Sequence, residues 1–298
     1  MNLFKKLITK NTSLIISSLA ISGLLINLFQ REVKAFPITI AKCTTGQIPT
    51  AAEGCLTDPI SYKLDLYRVY ICREDPFPAS ATKANLDVCM ALFIDNNNPY
   101  PAEFANNTFT LPKTGMEEIE NGSYSHVAVV FENIFKGKGS YTVGGTTYKT
   151  LKSFTEEGSN VSTTLNTPET TIDELKSWRG SDGNSDNPYC KDGATVSRCE
   201  TDFNGYKVTG IITDSSLNAV WGDTSARLFY LSELTSPFTL NKNSSGSIEI
   251  TVENNYEVGG NDGGTAVTNM SISPFVFQPT YISNWFFNYT QNGHKLLD

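Results

Sequence analysis

Ser13–Phe29 carries no charge and is almost wholly apolar, with Lys5, Lys6 and Lys10 before it and Arg31, Val33, Lys34 and Ala35 after it. A basic start, a greasy middle and small or aliphatic residues at −3 and −1 are the layout of an export signal. Cleavage is expected after Ala35, making 1–35 the signal. The competing reading is a retained anchor, since a bilayer span takes about 17–25 residues. Both readings put the rest of the chain outside the cytoplasm, so its fold must serve an oxidising compartment.

Removal of 1–35 leaves 263 residues, enough for one large β domain or two small ones. These carry 18 basic against 30 acidic side chains, a net charge of −12. That balance argues against nucleic acid or anionic lipid as partner, because both demand basic patches that release counterions. Membrane contact is expected only during export. Six cysteines, Cys43, Cys55, Cys72, Cys89, Cys190 and Cys199, all follow the signal. An even number in an oxidising compartment predicts three disulfides, each worth about 2–4 kcal/mol through its constraint on the unfolded chain. Fifteen pairings are open. The sequential one is expected, because each bridge then closes a short, turn-rich loop. No CxxC occurs and His126 and His294 are the only histidines, so neither a metal nor another cofactor is expected.

Along the chain, Phe36–Ala41 alternates Phe36, Ile38 and Ile40 with polar or small residues, and Pro37 confines such a strand to an edge. Tyr62–Cys72 reads as a long strand whose alternation slips near Tyr67, which predicts a bulge. Leu86–Ile94 is a second apolar run, closed by the polar turn Asp95–Pro99. A strand is expected over Thr108–Pro112, one helical turn over Met116–Ile119, and a central strand over Tyr124–Phe135. Gly144-Gly145 between two β-branched arms predicts a two-residue hairpin over Ser140–Thr150. Residues 155–201 change character. Thr171-Ile172-Asp173-Glu174 matches a capping box and predicts one helix over Thr171–Trp178. Strands resume at Tyr206–Thr213, Ala219–Trp221, Ala226–Leu231, Phe238–Leu240 and Ser247–Glu253. The reading is an all-β antiparallel sandwich: a first half over 36–154, an insertion over 155–201 holding one short helix, and a second half over 202–298 that joins the first.

The long strand ending at Cys72, Gly122-Ser123-Tyr124 opening a central strand, and the pair Pro237–Leu240 and Ser247–Glu253 resemble exported β-sandwich proteins of aquatic bacteria. The resemblance implies an immunoglobulin-like or transthyretin-like sandwich and transfers no active site.

Candidate chemistry is sparse. His126 lies in an apolar strand and no GxSxG elbow accompanies it, so a structural histidine is the expected reading. Glu117, Glu118, Glu120, Glu156 and Glu157 could supply a hydrolytic carboxylate pair, though acids in such contexts usually solubilise. Asp182, Asn184 and Asp186 alternate as calcium ligands do, but position twelve of that loop is Gly193 instead of Glu, so an Asx-rich turn is favoured. Trp178, Trp221 and Trp285 are the candidates for stacking on sugar, and the polar segment around Trp178 makes it the expected platform. The expectation is a non-enzymatic structural or adhesive protein at the cell surface, whose partner is a second copy added through Phe36, Ile38 and Ile40, or a surface glycan. A carbohydrate-binding module is the alternative, and a secreted hydrolase the third class.

Overall fold

The computed structural model describes residues 42–44, 46, 48–49, 54–105, 111–112, 114–115, 118, 120–153, 155, 159–179, 190, 195–203, 206–241, 249–253, 256–261, 263–271, 278–284, 290–291 and 294–295. They belong to one compact unit, Ile38–Asp298. The signal, the arm residues Phe36, Ile38 and Ile40, the Asp182/Asn184/Asp186 loop and the expected elements at 108–110 and 116–117 lie outside the described residues.

The fold is all-β and antiparallel, a sandwich, with two short 3-10 turns at Leu86–Val88 and Gly222–Thr224 and no α-helix among the described residues. The first strands are β1 (Cys55–Thr57), β2 (Ser61–Cys72), β3 (Cys89–Ile94) and β4 (Tyr100–Glu103). Then come β5 (Gly122–Glu132), β6 (Ile134–Lys138), β7 (Ser140–Val143), β8 (Thr146–Thr150), β9 (Val161–Ser162) and β10 (Thr171–Glu174). The second half supplies β11 (Arg198–Phe203), β12 (Tyr206–Thr213), β13 (Arg227–Leu240), β14 (Glu249–Glu253), β15 (Tyr256–Gly260), β16 (Val267–Ser271) and β17 (Gln278–Asn284).

The larger sheet has nine strands in the order β10-β6-β2-β5-β13-β12-β11, with β3 and β4 pairing the free side of β2. Both halves of the sequence therefore contribute to one sheet. Its centre is β2 and β5, whose apolar runs alternate between two covered faces. One face sets Leu66, Val69 and Ile71 beside Phe131, Val129 and Val127, all buried. On the other, Tyr70, Cys72, Ala128, Val130, Phe229 and Leu231 are capped by Phe77, Ala84 and Leu217 from the loops. Phe77 meets Phe229 edge-on at 5.6 Å between ring centroids. The slip read at Tyr67 is a bulge: the register shifts between Leu66 and Arg68, so Tyr67 and Arg68 together oppose Val130.

The other described strands form two three-stranded sheets, β1-β15-β16 and β7-β8-β9, the pair β14-β17, and a two-residue ladder of Thr290–Gln291 with His294–Lys295. The hairpin β7/β8 turns at Gly144 and Gly145, both at positive φ (58° and 80°), as a primed turn requires. Asn160 joins the two three-stranded sheets. Its side-chain amide donates to the Met270 carbonyl at 2.8 Å and accepts from the Met270 N–H at 2.7 Å, while its own N–H donates to Thr268 O at 3.2 Å. A side chain thus makes the two bonds that a neighbouring strand would make, and it does so at 3% exposure.

The helix expected over Thr171–Trp178 is not formed. Thr171–Glu174 is strand β10, antiparallel to β6 with Thr171 opposite Gly137 and Glu174 opposite Ile134. The capping-box reading fails because Thr171 spends its hydroxyl on Gly137 O (3.2 Å) and Glu174 N donates to Asp173 Oδ1 (2.9 Å). Tertiary pairing outweighs a four-residue local signal, as helix nucleation is costly in so short a segment. Ala219–Trp221 is likewise no regular strand, only a single bridge from Ala219 to Thr213 followed by the second 3-10 turn.

Asn160→Ala leaves the Met270 N–H and C=O buried without partners. The expected loss is about 2–4 kcal/mol by urea denaturation, from about 1–3 kcal/mol per orphaned group; a loss under 0.5 kcal/mol would mean that water replaces the amide.

Candidate functional site

One face of the nine-stranded sheet changes character along its length. At the end capped by Phe77 it is apolar, and at the other end it is open and charged. Register explains the change: Lys63 on β2, Lys136 on β6 and Ile172 on β10 stand side by side, and Asp65 follows Lys63 on the same face. Asp65 and Glu132 face each other across β2 and β5, and Lys136 bridges them, 2.7 Å from Asp65 Oδ2 and 3.3 Å from Glu132 Oε2. Burial holds the Glu132 carboxyl above its usual range, and the facing Asp65 carboxyl acts in the same direction. Where the open and capped ends meet, the Arg227 guanidinium lies 3.6 Å from the centroid of the bulged Tyr67 ring.

The charged face runs on through Asn133, the residue between β5 and β6. Its side-chain amide donates to Leu175 O (3.2 Å) and Glu174 Oε1 (3.4 Å), and its backbone carbonyl accepts from Leu175 N (2.9 Å). Glu174 Oε2 in turn lies 3.3 Å from Lys176 Nζ, which reaches Asp223 Oδ1 at 2.9 Å. Lys176 holds the Asp223 carboxyl below its ordinary value. The Lys176 carbonyl accepts from Gly222 N (2.9 Å), which seats the 3-10 turn and its N-cap Trp221 at this rim. Trp221 is 53% exposed.

Trp178, the expected sugar platform, is buried instead, at 5% exposure. A Cβ on Gly210 of β12 would stand 2.5 Å from Trp178 Cζ2, so the indole packs where that strand lacks a side chain. Trp285 lies outside the described residues.

Ser125 and His126 are adjacent, with Oγ 2.8 Å from Nδ1, yet the hydroxyl proton is committed to Arg73 O at 2.7 Å. Nδ1–H is then the donor and Ser125 the acceptor, the reverse of what an activated nucleophile needs. Burial lowers the His126 pKa, while Asp75 and Glu233 oppose that effect. Glu120 pairs with Arg73 and Glu118 is exposed; Glu117, Glu156 and Glu157 lie outside the described residues. The close carboxylates are Asp65 and Glu132, which the sequence reading did not single out. Lys136 contacts both of them, which makes the three an ion-pair ladder across β2, β5 and β6. The available signal was Asp65 as the single acid of a strand that also carries Lys63 and Arg68.

The disulfides are Cys43–Cys55, Cys72–Cys89 and Cys190–Cys199, with sequence separations of 12, 17 and 9. Each fastens a sheet strand to a neighbour. Lys42 bridges Leu56 in parallel and Cys43 N donates to Leu56 O (2.8 Å), so the chain enters along the outside of β1. Tyr141 of β7 donates to Thr44 O at 3.4 Å, which brings both ends of the smaller array to this entry. Cys72 lies opposite Cys89 across β2 and β3, and Cys190 is tied to edge strand β11. Three such bonds belong in an oxidising compartment, extracellular or periplasmic. No helix among the described residues is long and apolar enough to cross a membrane.

No family model, curated protein or solved structure matches this chain.

Lys136→Met removes the bridge between Asp65 and Glu132 and should cost about 1 kcal/mol at pH 7, the ladder being partly solvated. A carboxyl raised in the folded state adds stability that is present below the unfolded carboxylate range and lost as pH rises through the folded value. The Met variant should therefore lose stability more steeply than the parent between about pH 4 and 7, a difference read by urea denaturation at both ends; equal slopes would show that Lys136 does not hold the pair.

Proposed function

We propose that the protein is exported and acts at the cell surface as a non-enzymatic structural or adhesive element, assembling through its N-terminal strand. The observation that carries this reading is the placement of Cys43–Cys55. It fixes covalently, on the outer side of β1, the point at which the chain enters the sheet. The residues just before that point, Phe36–Ala41, alternate Phe36, Ile38 and Ile40. An alternating apolar segment tethered at a sheet margin is suited to complete the sheet of a second copy, with backbone bonds giving affinity and the alternate side chains giving register. The other two disulfides serve the same end. Covalently fastened strands resist exchange and proteolysis outside the cell, where nothing refolds a damaged subunit.

Light scattering on the non-reduced chain from Phe36 should show discrete oligomers or polymers at neutral pH. Deletion of Phe36–Ala41 should leave a monomer of unchanged thermal midpoint. A monomeric parent, or polymers that survive the deletion, would remove assembly from this reading.

A further inference from the structure

We propose that the rim of the charged sheet face is a binding site for a neutral glycan, with Trp221 as its stacking platform. The inference rests on the reading of the protein as a surface adhesin and names the ligand class. Three observations converge on it. Trp221 is 53% exposed, an unusual place for an indole, whose burial is among the largest apolar gains available to a chain. Its exposure is built: Gly222 is at φ +73° with nothing within 4 Å of its missing side chain, and its N–H is held by the Lys176 carbonyl. The turn carrying the ring is thereby anchored to the segment that follows β10.

The second observation is what stands beside the ring. Asp223, two residues on, has a side chain 96% exposed and pairs with Lys176, which also pairs with Glu174. Carboxylates and an ammonium fixed next to an apolar plane are the complement of a sugar, whose ring has a C–H face and whose rim carries hydroxyls that donate and accept. Ile172, on β10 two residues before Glu174, is 57% exposed and extends the apolar strip.

The third is the sign of the surface. Lys136 is matched to Asp65 and Glu132, and Lys176 to Glu174 and Asp223. Two lysines against four carboxylates leave this cluster net negative, with no surplus positive charge to recruit a polyanion. It does have donors and acceptors at strand spacing along a flat sheet, which suits an extended neutral polymer.

The test is affinity electrophoresis of the non-reduced chain from Phe36 through gels holding mixed-linkage β-glucan, arabinoxylan or galactomannan, with dextran sulfate as the polyanion control. Retardation by at least one neutral polymer is expected, insensitive to 0.5 M salt, about tenfold or more weaker in Trp221→Ala, partly kept in Trp221→Phe and reduced in Asp223→Ala. Trp221 is half-exposed, so its variants should keep the parent's thermal midpoint, which calorimetry checks. No retardation by any of the three polymers, equal retardation of Trp221→Ala, or retardation by dextran sulfate alone would overturn the proposal. Light scattering on the same samples separates the two readings: glycan retention by a monomer removes assembly and keeps this site, and polymers that no glycan retards do the opposite.

Discussion

The break at Asn133 is the constraint on which the arrangement depends. Without it, β5 and β6 would be one strand with one neighbour along that edge. With it, β13 pairs the β5 part and β10 pairs the β6 part, and the buried Asn133 amide holds the end of β10 at the joint. A buried amide is expensive unless its groups are bonded; the Asn133 side-chain NH2 donates to Leu175 O, and the Asn133 backbone carbonyl accepts from Leu175 N. From this joint follow the position of Lys176, the seat of the Gly222–Thr224 turn, and the exposure of Trp221.

Asn160 solves a related problem in the other layer. β9 has only two residues, too few for an ordinary ladder, and the side-chain amide of Asn160 supplies the missing pair of bonds to Met270. Two buried asparagines therefore act as splices, Asn133 within the nine-stranded sheet and Asn160 between the two smaller ones, and three disulfides act as fasteners. Splices give geometry, because amide bonds are directional, whereas disulfides limit how far the unfolded chain can spread. A chain in an oxidising compartment gains from both.

Much of the fold was legible in the residues. The Gly144-Gly145 hairpin, the Ser61–Cys72 strand and its bulge at Tyr67 follow from alternation and turn chemistry, which are local. What failed was also local in appearance. Thr171–Glu174 carried a capping box, but it paired with β6 because a four-residue signal cannot outweigh a ready strand edge. The candidate site was less legible still. Trp178 has a polar neighbourhood in sequence and a buried one in space, where Gly210 leaves room for its ring. Trp221 follows the apolar Ala219-Val220 and stands at the surface, where its turn is hung from Lys176 by a bond across 46 positions of chain.

The sequence by itself determined the all-β class, the even cysteine count that suits an oxidising compartment, and the net negative charge. These depend on composition and on the two-residue period of a strand, which need no knowledge of distant neighbours. Only the tertiary structure decided which acids meet which bases, which tryptophan is outside, and that both halves share one sheet. Each of those is set by the register between strands far apart in the chain, such as Lys136 beside Lys63 and Ile172, and register is a property of the pairing and not of either strand.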